Sequence, residues 1–161
     1  RELCPGTTVE TLISDMKMDT DALDTVLAAH PEVLNHNVET VRELQAAVRP
    51  QARYERSLEV LRYCKRKDPT VLTKTGFMVG LGETEEEVEQ LMDDILATGC
   101  RRLTIGQYLQ PTSKHLPVAE YVTPEQFAKY KQTALKKGFK FVESGPLVRS
   151  SYHAGRAFAT K

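Results

Sequence analysis

The stretch "VLTKTGFMVGLGETEEEVEQLMDDILATGCRRLTIGQYLQP", Val71 to Pro111, decides the fold. Its first third, 71–84, is β-branched and apolar and breaks into a glycine turn, as a buried strand does. Residues 84–99 then predict a helix. Thr84 can cap it, Glu85 to Glu87 suit its positive N-terminus, and Gly99 can end it. Residues 101–111, "RRLTIGQYLQP", return to a strand. Strand, helix and strand in so short a space make a crossover unit with parallel strands.

The same unit extends in both directions. Upstream, "TTVETLIS" (7–14) reads as a strand bounded by Pro5-Gly6, and "DTDALDTVLAAHP" (19–31) as a capped helix that stops before Pro31. "EVLNHN" (32–37) is a second strand, and "VETVRELQAAV" (38–48) reads as helical. In 54–69, Leu58, Leu61 and Cys64 share one helix stripe while the basic residues face out. Downstream, residues 123–138 carry a capping Thr123, Pro124 at the first helical position and a terminal Gly138. Residues 139–146 predict a last strand. The opening "REL", Arg1 to Leu3, reads like the end of a helix. The order is βα repeated four times plus one strand, an α/β architecture with a parallel sheet. A complete eight-fold barrel takes about 250 residues, and this chain has 161. The sheet is therefore open and doubly wound, or it is part of a barrel.

Composition narrows the function classes. Lys+Arg and Asp+Glu both number 22, so no global charge points to nucleic acid or an anionic membrane. No apolar run is long enough to span a bilayer, and the opening residues carry no secretory signal. Cys4, Cys64 and Cys100 are too far apart for a Cys-x-x-Cys metal motif and read as reduced thiols.

In parallel α/β folds chemistry gathers at the C-terminal ends of strands. Four such ends stand out. "NHNVET" holds Asn35, His36, Asn37, Glu39 and Thr40. Two amides and a carboxylate can grip a ribose or an ammonium group, and the same residues can serve as turns and caps. His36, taken singly, reads as a structural histidine. "GFMVGLGE" places Gly76, Gly80, Gly82 and Glu83 where a ligand can approach bare backbone, or where a strand simply turns into a helix. "GQYLQP" offers Gln107, Tyr108, Leu109, Gln110 and Pro111, residues suited to flanking a planar base or to an ordinary connection. "RSSYH", Arg149 to His153, has the residue types of a serine hydrolase, but no Gly-x-Ser-x-Gly elbow surrounds Ser150 or Ser151.

The order of these stretches carries a resemblance. "NHNVETV", "VRPQARYERSLEVL", "TKTGFMVGLGETEEEV", "LTIGQYLQPTSKHLPV", "YVTPEQF" and "GPLVRSSYHA" together closely resemble the lipoyl synthases, a family of radical S-adenosylmethionine (SAM) enzymes. The likeness runs from about Thr7 to His153, with "GQYLQPTSKHLPV" and "RSSYH" its most specific parts. It implies a radical-SAM-type six-fold (β/α) partial TIM barrel, of which this chain holds the later βα units. Residues 1–138 would be those units, and 139–161 a C-terminal segment carrying RSSYH.

The resemblance also implies an activity: insertion of two sulfur atoms at carbons 6 and 8 of a protein-bound octanoyl group. The family uses SAM and two 4Fe–4S clusters. One cluster sits on a Cys-x3-Cys-x2-Cys motif and cleaves SAM reductively. The resulting 5′-deoxyadenosyl radical abstracts hydrogen from carbon. The auxiliary cluster sits on Cys-x4-Cys-x5-Cys plus one serine and is consumed as the sulfur source. By this resemblance Ser150 is an iron ligand, not a nucleophile. Iron–sulfur clusters ordinarily take thiolates, and a harder alkoxide is a ligand that can leave as the cluster is dismantled. Asn35, Asn37 and Glu39 would contact SAM, and Arg49 would meet its carboxylate. Gly80, Gly82 and Glu83 would form the turn beneath the nucleoside, with Gln107, Leu109 and Pro111 near the adenine.

Both cysteine triplets are absent, and no residue here is assigned a catalytic role. The expectation is a C-terminal half that is inactive alone and that exposes a sheet edge and an apolar inner face. Implied partners are octanoylated lipoyl-carrier domains (2-oxoacid dehydrogenase E2 subunits and the glycine cleavage H protein) and an electron donor such as flavodoxin or ferredoxin. The compartment would be cytoplasmic in a bacterium, mitochondrial or plastid in a eukaryote. The competing readings are a biotin synthase-like sulfur inserter, a phosphate-binding barrel enzyme without iron, and a non-catalytic α/β module for a nucleoside-like ligand. "RSSYH" argues against the first. The amides and carboxylates of "NHNVET" and "GLGE" argue against a phosphate site, which favours cations and backbone nests.

Overall fold

The βαβ unit read from 71–111 stands at the centre of the sheet in the computed structural model, which describes residues 2–159. Arg1, and Thr160 and Lys161 at the end of the predicted C-terminal segment, lie outside the described residues. Five strands pair in parallel: β1 (Glu10–Leu12), β2 (Val33–Asn35), β3 (Leu72–Val79), β4 (Arg102–Gln107) and β5 (Phe141–Gly145). Between them run α1 (Thr20–Ala28), the short α2 (Gln45–Val48), α3 (Tyr54–Lys67), α4 (Glu85–Ala97) and α5 (Pro124–Lys137). A short α6 (Ala154–Ala159) follows β5.

The strand order is β1-β2-β3-β4-β5, the order of the sequence. This choice separates the two closures. A doubly wound sheet reverses its strand order at a switch point. Right-handed crossovers that always step the same way put every helix on one face, as in a barrel wall. The sheet is an arc of such a wall.

Alternation along the strands sorts the side chains. Leu34, Phe77, Val79, Leu103, Ile105 and Val142 point to the helices and are buried. Phe77, Val79, Leu103, Ile105 and Val142 pack with residues of α3, α4 and α5 such as Leu61, Met92 and Phe127, while Leu34 packs with Leu23 and Leu27 of α1. The other phase carries Glu10, Asn35, Lys74, Arg102, Thr104 and Glu143, interrupted by Gly76, Gly106 and Gly145. This corrects the expected apolar inner face: that phase is mixed, with Leu12, Val33, Leu72, Met78 and Phe141 among the polar residues and glycines.

Local signals read from the sequence hold well on the helices. Thr84 and Glu87 form a reciprocal capping box on α4, Thr123 caps α5, and Gly138 ends α5 in the left-handed region at φ 115°. Two stretches differ. The helix read over 38–48 shrinks to a 3-10 turn (Arg42–Leu44) and α2. Its first residues are claimed by β3: the Glu39 amide donates to the Gly76 carbonyl at 3.1 Å, and the Glu39 carbonyl accepts from Met78 at 2.9 Å. Glu2 and Leu3, read as a helix end, lie in irregular chain, and β1 covers three residues of the expected 7–14.

Candidate functional site

Two adjoining cavities open at the C-terminal ends of β1 to β4. The larger, about 670 Å³, lies between the loop after β1, the loop after β2, the end of α2 and the start of α3. Its size suits a small ligand, for which about 300–1,000 Å³ is usual. Asp15, His36, Asn37, Glu39, Arg49 and Arg56 line it. The smaller, about 220 Å³, shares Asn37 and Glu39 and adds Gly76, Thr104, Gly106, Leu109 and Ser150.

Asn37, Glu39 and Arg49 line the larger cavity together. Arg49 Nη1 donates to Glu39 Oε1 at 3.1 Å. Glu39 sits at φ 79°, a strained backbone for a residue with a Cβ, held in place by its two bonds to β3. Asn35 is fully buried at the end of β2, on the inner face, where its Nδ2 donates to Glu10 Oε1 at 2.9 Å. Oδ1 of Asn35, Oδ1 of Asn37 and Nε2 of His36 are buried without a hydrogen-bond partner. Buried polar atoms are seldom left so; His36 and Asn37 line the larger cavity, where a ligand's donors can meet them, whereas Asn35, expected to contact the ligand, lines neither cavity.

His36 is more than the structural histidine read from the sequence. Its Nδ1 stands 3.0 Å from the Ile13 carbonyl. A carbonyl only accepts, so Nδ1 carries the proton. Burial lowers the pKa of His36, outweighing the Ile13 bond and the nearby Asp15 and Glu39. The ring is thus neutral near pH 7, and Nε2 presents a lone pair. Opposite it, Asp15 accepts from Arg56 Nε at 2.6 Å. Burial raises the Asp15 pKa, but the Lys17 amide and the Arg56 guanidinium together pull it below the usual range.

The remaining predicted residues divide. Ser150 and Leu109 line the smaller cavity. Gln107 lines it too, yet its amide is committed: Nε2 donates to the carbonyls of Tyr108 (2.9 Å) and Glu120 (3.0 Å), and Oε1 accepts from Val122 (3.0 Å). Gln107 follows Val79 in the pleat, on the helix-facing phase. Gly80, Gly82, Glu83 and Pro111 line neither cavity. Glu83 turns back to accept from the amides of Gly80 (2.6 Å) and Leu81 (3.0 Å), so it builds the turn. Gly80 sits at φ 95°, where a side chain would strike the Gln107 amide. Glu83 and Gln107 thus brace the turn and loop behind the cavities, and Gly80, Gly82, Glu83 and Pro111 stay off both.

Comparison with known proteins gives the family. The sequence profile of the Radical SAM superfamily matches residues 1–95. This chain belongs to the radical SAM superfamily. It is 61% identical over 154 residues to a lipoyl synthase of Rubrobacter xylanophilus, covering 96% of this chain and 48% of that protein. It is 58% identical over 150 residues to the lipoyl synthase of Caldanaerobacter subterraneus subsp. tengcongensis, covering 93% and 53%. The lipoyl synthase of Chlorobaculum parvum is 57% identical over 154 residues, covering 96% and 52%. The chain thus spans about half the length of the curated relatives it matches. In fold it is similar to coproporphyrinogen III oxidase from Escherichia coli, a radical SAM enzyme, with a TM-score of 0.60 and 19% identity over 81% of this chain and 31% of that one.

Radical SAM proteins use SAM and an iron–sulfur cluster. The orphaned atoms of His36 and Asn37, in the same cavity as the Arg49 guanidinium, fit a ligand with an ammonium, a carboxylate and hydroxyls. The donors for a cluster do not fit in the same way. Among the described residues no group of three or more His, Cys, Asp or Glu stands close enough to hold a metal. Cys64 and Cys100 are buried in separate apolar clusters, where burial pushes both thiols up, Cys64 to about 11, and Cys4 is exposed. Among the described residues no helix is long and apolar enough to cross a membrane.

Proposed function

We propose that this chain is a segment of a lipoyl synthase, which inserts two sulfur atoms into a protein-bound octanoyl group. The likeness to the lipoyl synthases across nearly the whole chain carries the reading. The geometry supports it, because "NHNVET" and "RSSYH", more than a hundred residues apart in the chain, meet at one cavity through Asn37 and Ser150. A non-catalytic nucleoside-binding module or a biotin synthase-like enzyme is not favoured.

In this reading two 4Fe–4S clusters, held largely by residues outside this chain, would supply the electron for SAM cleavage and the sulfur. Their cysteines would come from the part of the relatives' length that this chain does not span. The chain's own residues bind and orient. Arg49 meets the SAM carboxylate as a guanidinium fork. Asn37 Oδ1 and the neutral His36 Nε2 accept from the ammonium or ribose hydroxyls, and Glu39 holds Arg49 in register. Gly76 leaves backbone bare between Asn37 and Thr104: a Cβ there would strike Thr104 Oγ1 and stand 3.1 Å from Asn37 Oδ1. Leu109 offers apolar contact to the adenine, while Glu83 holds the Gly80–Leu81 turn and Gln107 the loop after β4 behind the cavity. Ser150 offers one oxygen to the auxiliary cluster. Partners in this reading are octanoylated carrier domains and a flavodoxin or ferredoxin. Its compartment is the cytoplasm of a bacterium or a mitochondrion or plastid.

The test is a chimera in which this segment replaces the matching half of the Rubrobacter protein. Loaded with iron and sulfide, and given SAM, reductant and an octanoylated carrier domain, it should yield a lipoylated carrier by mass spectrometry. Cleavage of SAM without sulfur insertion would overturn the lipoyl synthase reading and leave the family assignment intact.

A further inference from the structure

Lys74 lies in the middle of β3 and is fully buried. A lysine in such a place is costly unless its charge and donors are met. Here all three directions are used. Its Nζ lies 2.9 and 3.1 Å from the two carboxylate oxygens of Glu10 on β1, and donates to the main-chain carbonyl of Ser150 at 2.6 Å. Asn35 on β2 donates to the same carboxylate at 2.9 Å and fixes it from the other side. Three neighbouring strands thus aim one cation at one carbonyl of RSSYH.

The rest of the C-terminal segment is held at two further points across the same face. Val148 lies over Gly106 of β4, where a Cβ would stand 2.5 Å from the Val148 carbonyl. His153 Nδ1 meets Glu143 Oε1 of β5 at 3.2 Å. The segment therefore crosses the inner face from β5 over β4 to β3 at Ser150 and returns to β5 at His153. Lys74 is the anchor at Ser150, and the only one of the three that is a buried charge.

We propose that Lys74 is a positioning residue: held by Glu10 and Asn35, it fixes the Ser150 carbonyl and so sets where the Ser150 hydroxyl stands at the rim of the smaller cavity. Its consequence at iron rests on the reading of Ser150 as a cluster ligand. The placement of the segment does not.

The experiment uses the cluster-loaded chimera and its cluster-free form, with three variants. Lys74→Met alone leaves the partly buried Glu10 carboxylate without its cation and is the variant at risk of misfolding. Glu10→Gln with Lys74→Met removes the charges as a pair and keeps the volumes. Ser150→Ala removes only the hydroxyl. In the cluster-free protein the paired variant should speed amide exchange across residues 150–154 about tenfold or more, with β3 and β4 protection unchanged. In the loaded protein Mössbauer spectra should lose or broaden the oxygen-ligated iron component in the paired variant, while SAM affinity stays within about twofold. A folded paired variant with unchanged exchange at 150–154 overturns the inference. So does an unchanged iron spectrum when Ser150→Ala alters it. If Ser150→Ala leaves the spectrum as it was, the ligand reading fails, and raised exchange in the paired variant still supports the Lys74 anchor.

Discussion

The two faces of this sheet are made from alternate residues of the same strands, yet they are built to opposite rules. The helix side is apolar and closed: Leu103, Ile105, Phe127 and Met92 are essentially without exposure. The inner side is mixed, with a buried lysine and other buried polar groups, glycines where backbone is approached, and orphaned atoms at the strand ends. The first face carries the stability. The second holds polar groups whose burial costs stability and which make sense only with something bound or crossing over them. The difference teaches where to expect folding defects and where to expect binding defects.

Substitutions can break that division, and they are ordered here by size. Phe127→Ala on the helix side should cost about 3–5 kcal/mol, read as a lower urea midpoint. An effect near that of a surface substitution would show that the helix face is not the core. Arg49→Gln should weaken SAM binding about tenfold or more in the chimera by calorimetry, with the thermal midpoint nearly unchanged because the side chain is half exposed. A large drop in stability instead would make Arg49 structural.

Gly106→Ala sharpens the comparison at its boundary. Its methyl would meet the Val148 carbonyl, so about 1–3 kcal/mol should be lost, and limited proteolysis should cut earliest in 146–153. Thr84→Ala, which opens the capping box of α4, should cost about 1 kcal/mol without changing SAM affinity.

The smallest effect is a slope in pH. The pKa of His36 is lowered on folding from its ordinary 6.5 because burial disfavours its charged form. The unfolded chain therefore takes up the proton first. Stability is fully present above about pH 6.5 and is lost as pH falls toward the folded value. His36→Asn, which keeps a donor for Ile13, should flatten the acid side of a urea-midpoint profile between about pH 7.5 and about pH 5.5. An unchanged profile would mean that His36 is not held neutral.

Much of this was legible in the residues. Helix caps at Thr84, Thr123 and Gly138 act within one turn of chain, so local sequence is enough to place them. The βα alternation and the placing of NHNVET and RSSYH at strand ends follow from period and order alone. What sequence reading missed is non-local. Glu39 begins no helix because β3 takes its amide and carbonyl from across the sheet. Lys74 reads as an unremarkable strand residue until Glu10, sixty-four positions away, is set beside it. Gln107 has a ligand-like side chain, but its amide is used up by loop backbone at Glu120 and Val122 that only the fold brings near.

The 161 residues, through hydrophobic period, turn chemistry and caps, dictated a parallel α/β wall with its chemistry at one end of the strands. Those are short-range physical signals, written within a few residues of where they act. The winding of that wall as a barrel arc, the pairing of Lys74 with Glu10 and Ser150, and the unshared atoms of Asn35, His36 and Asn37 belong to the tertiary structure. Each depends on which residues of different strands fall in register, and only the folded sheet settles that.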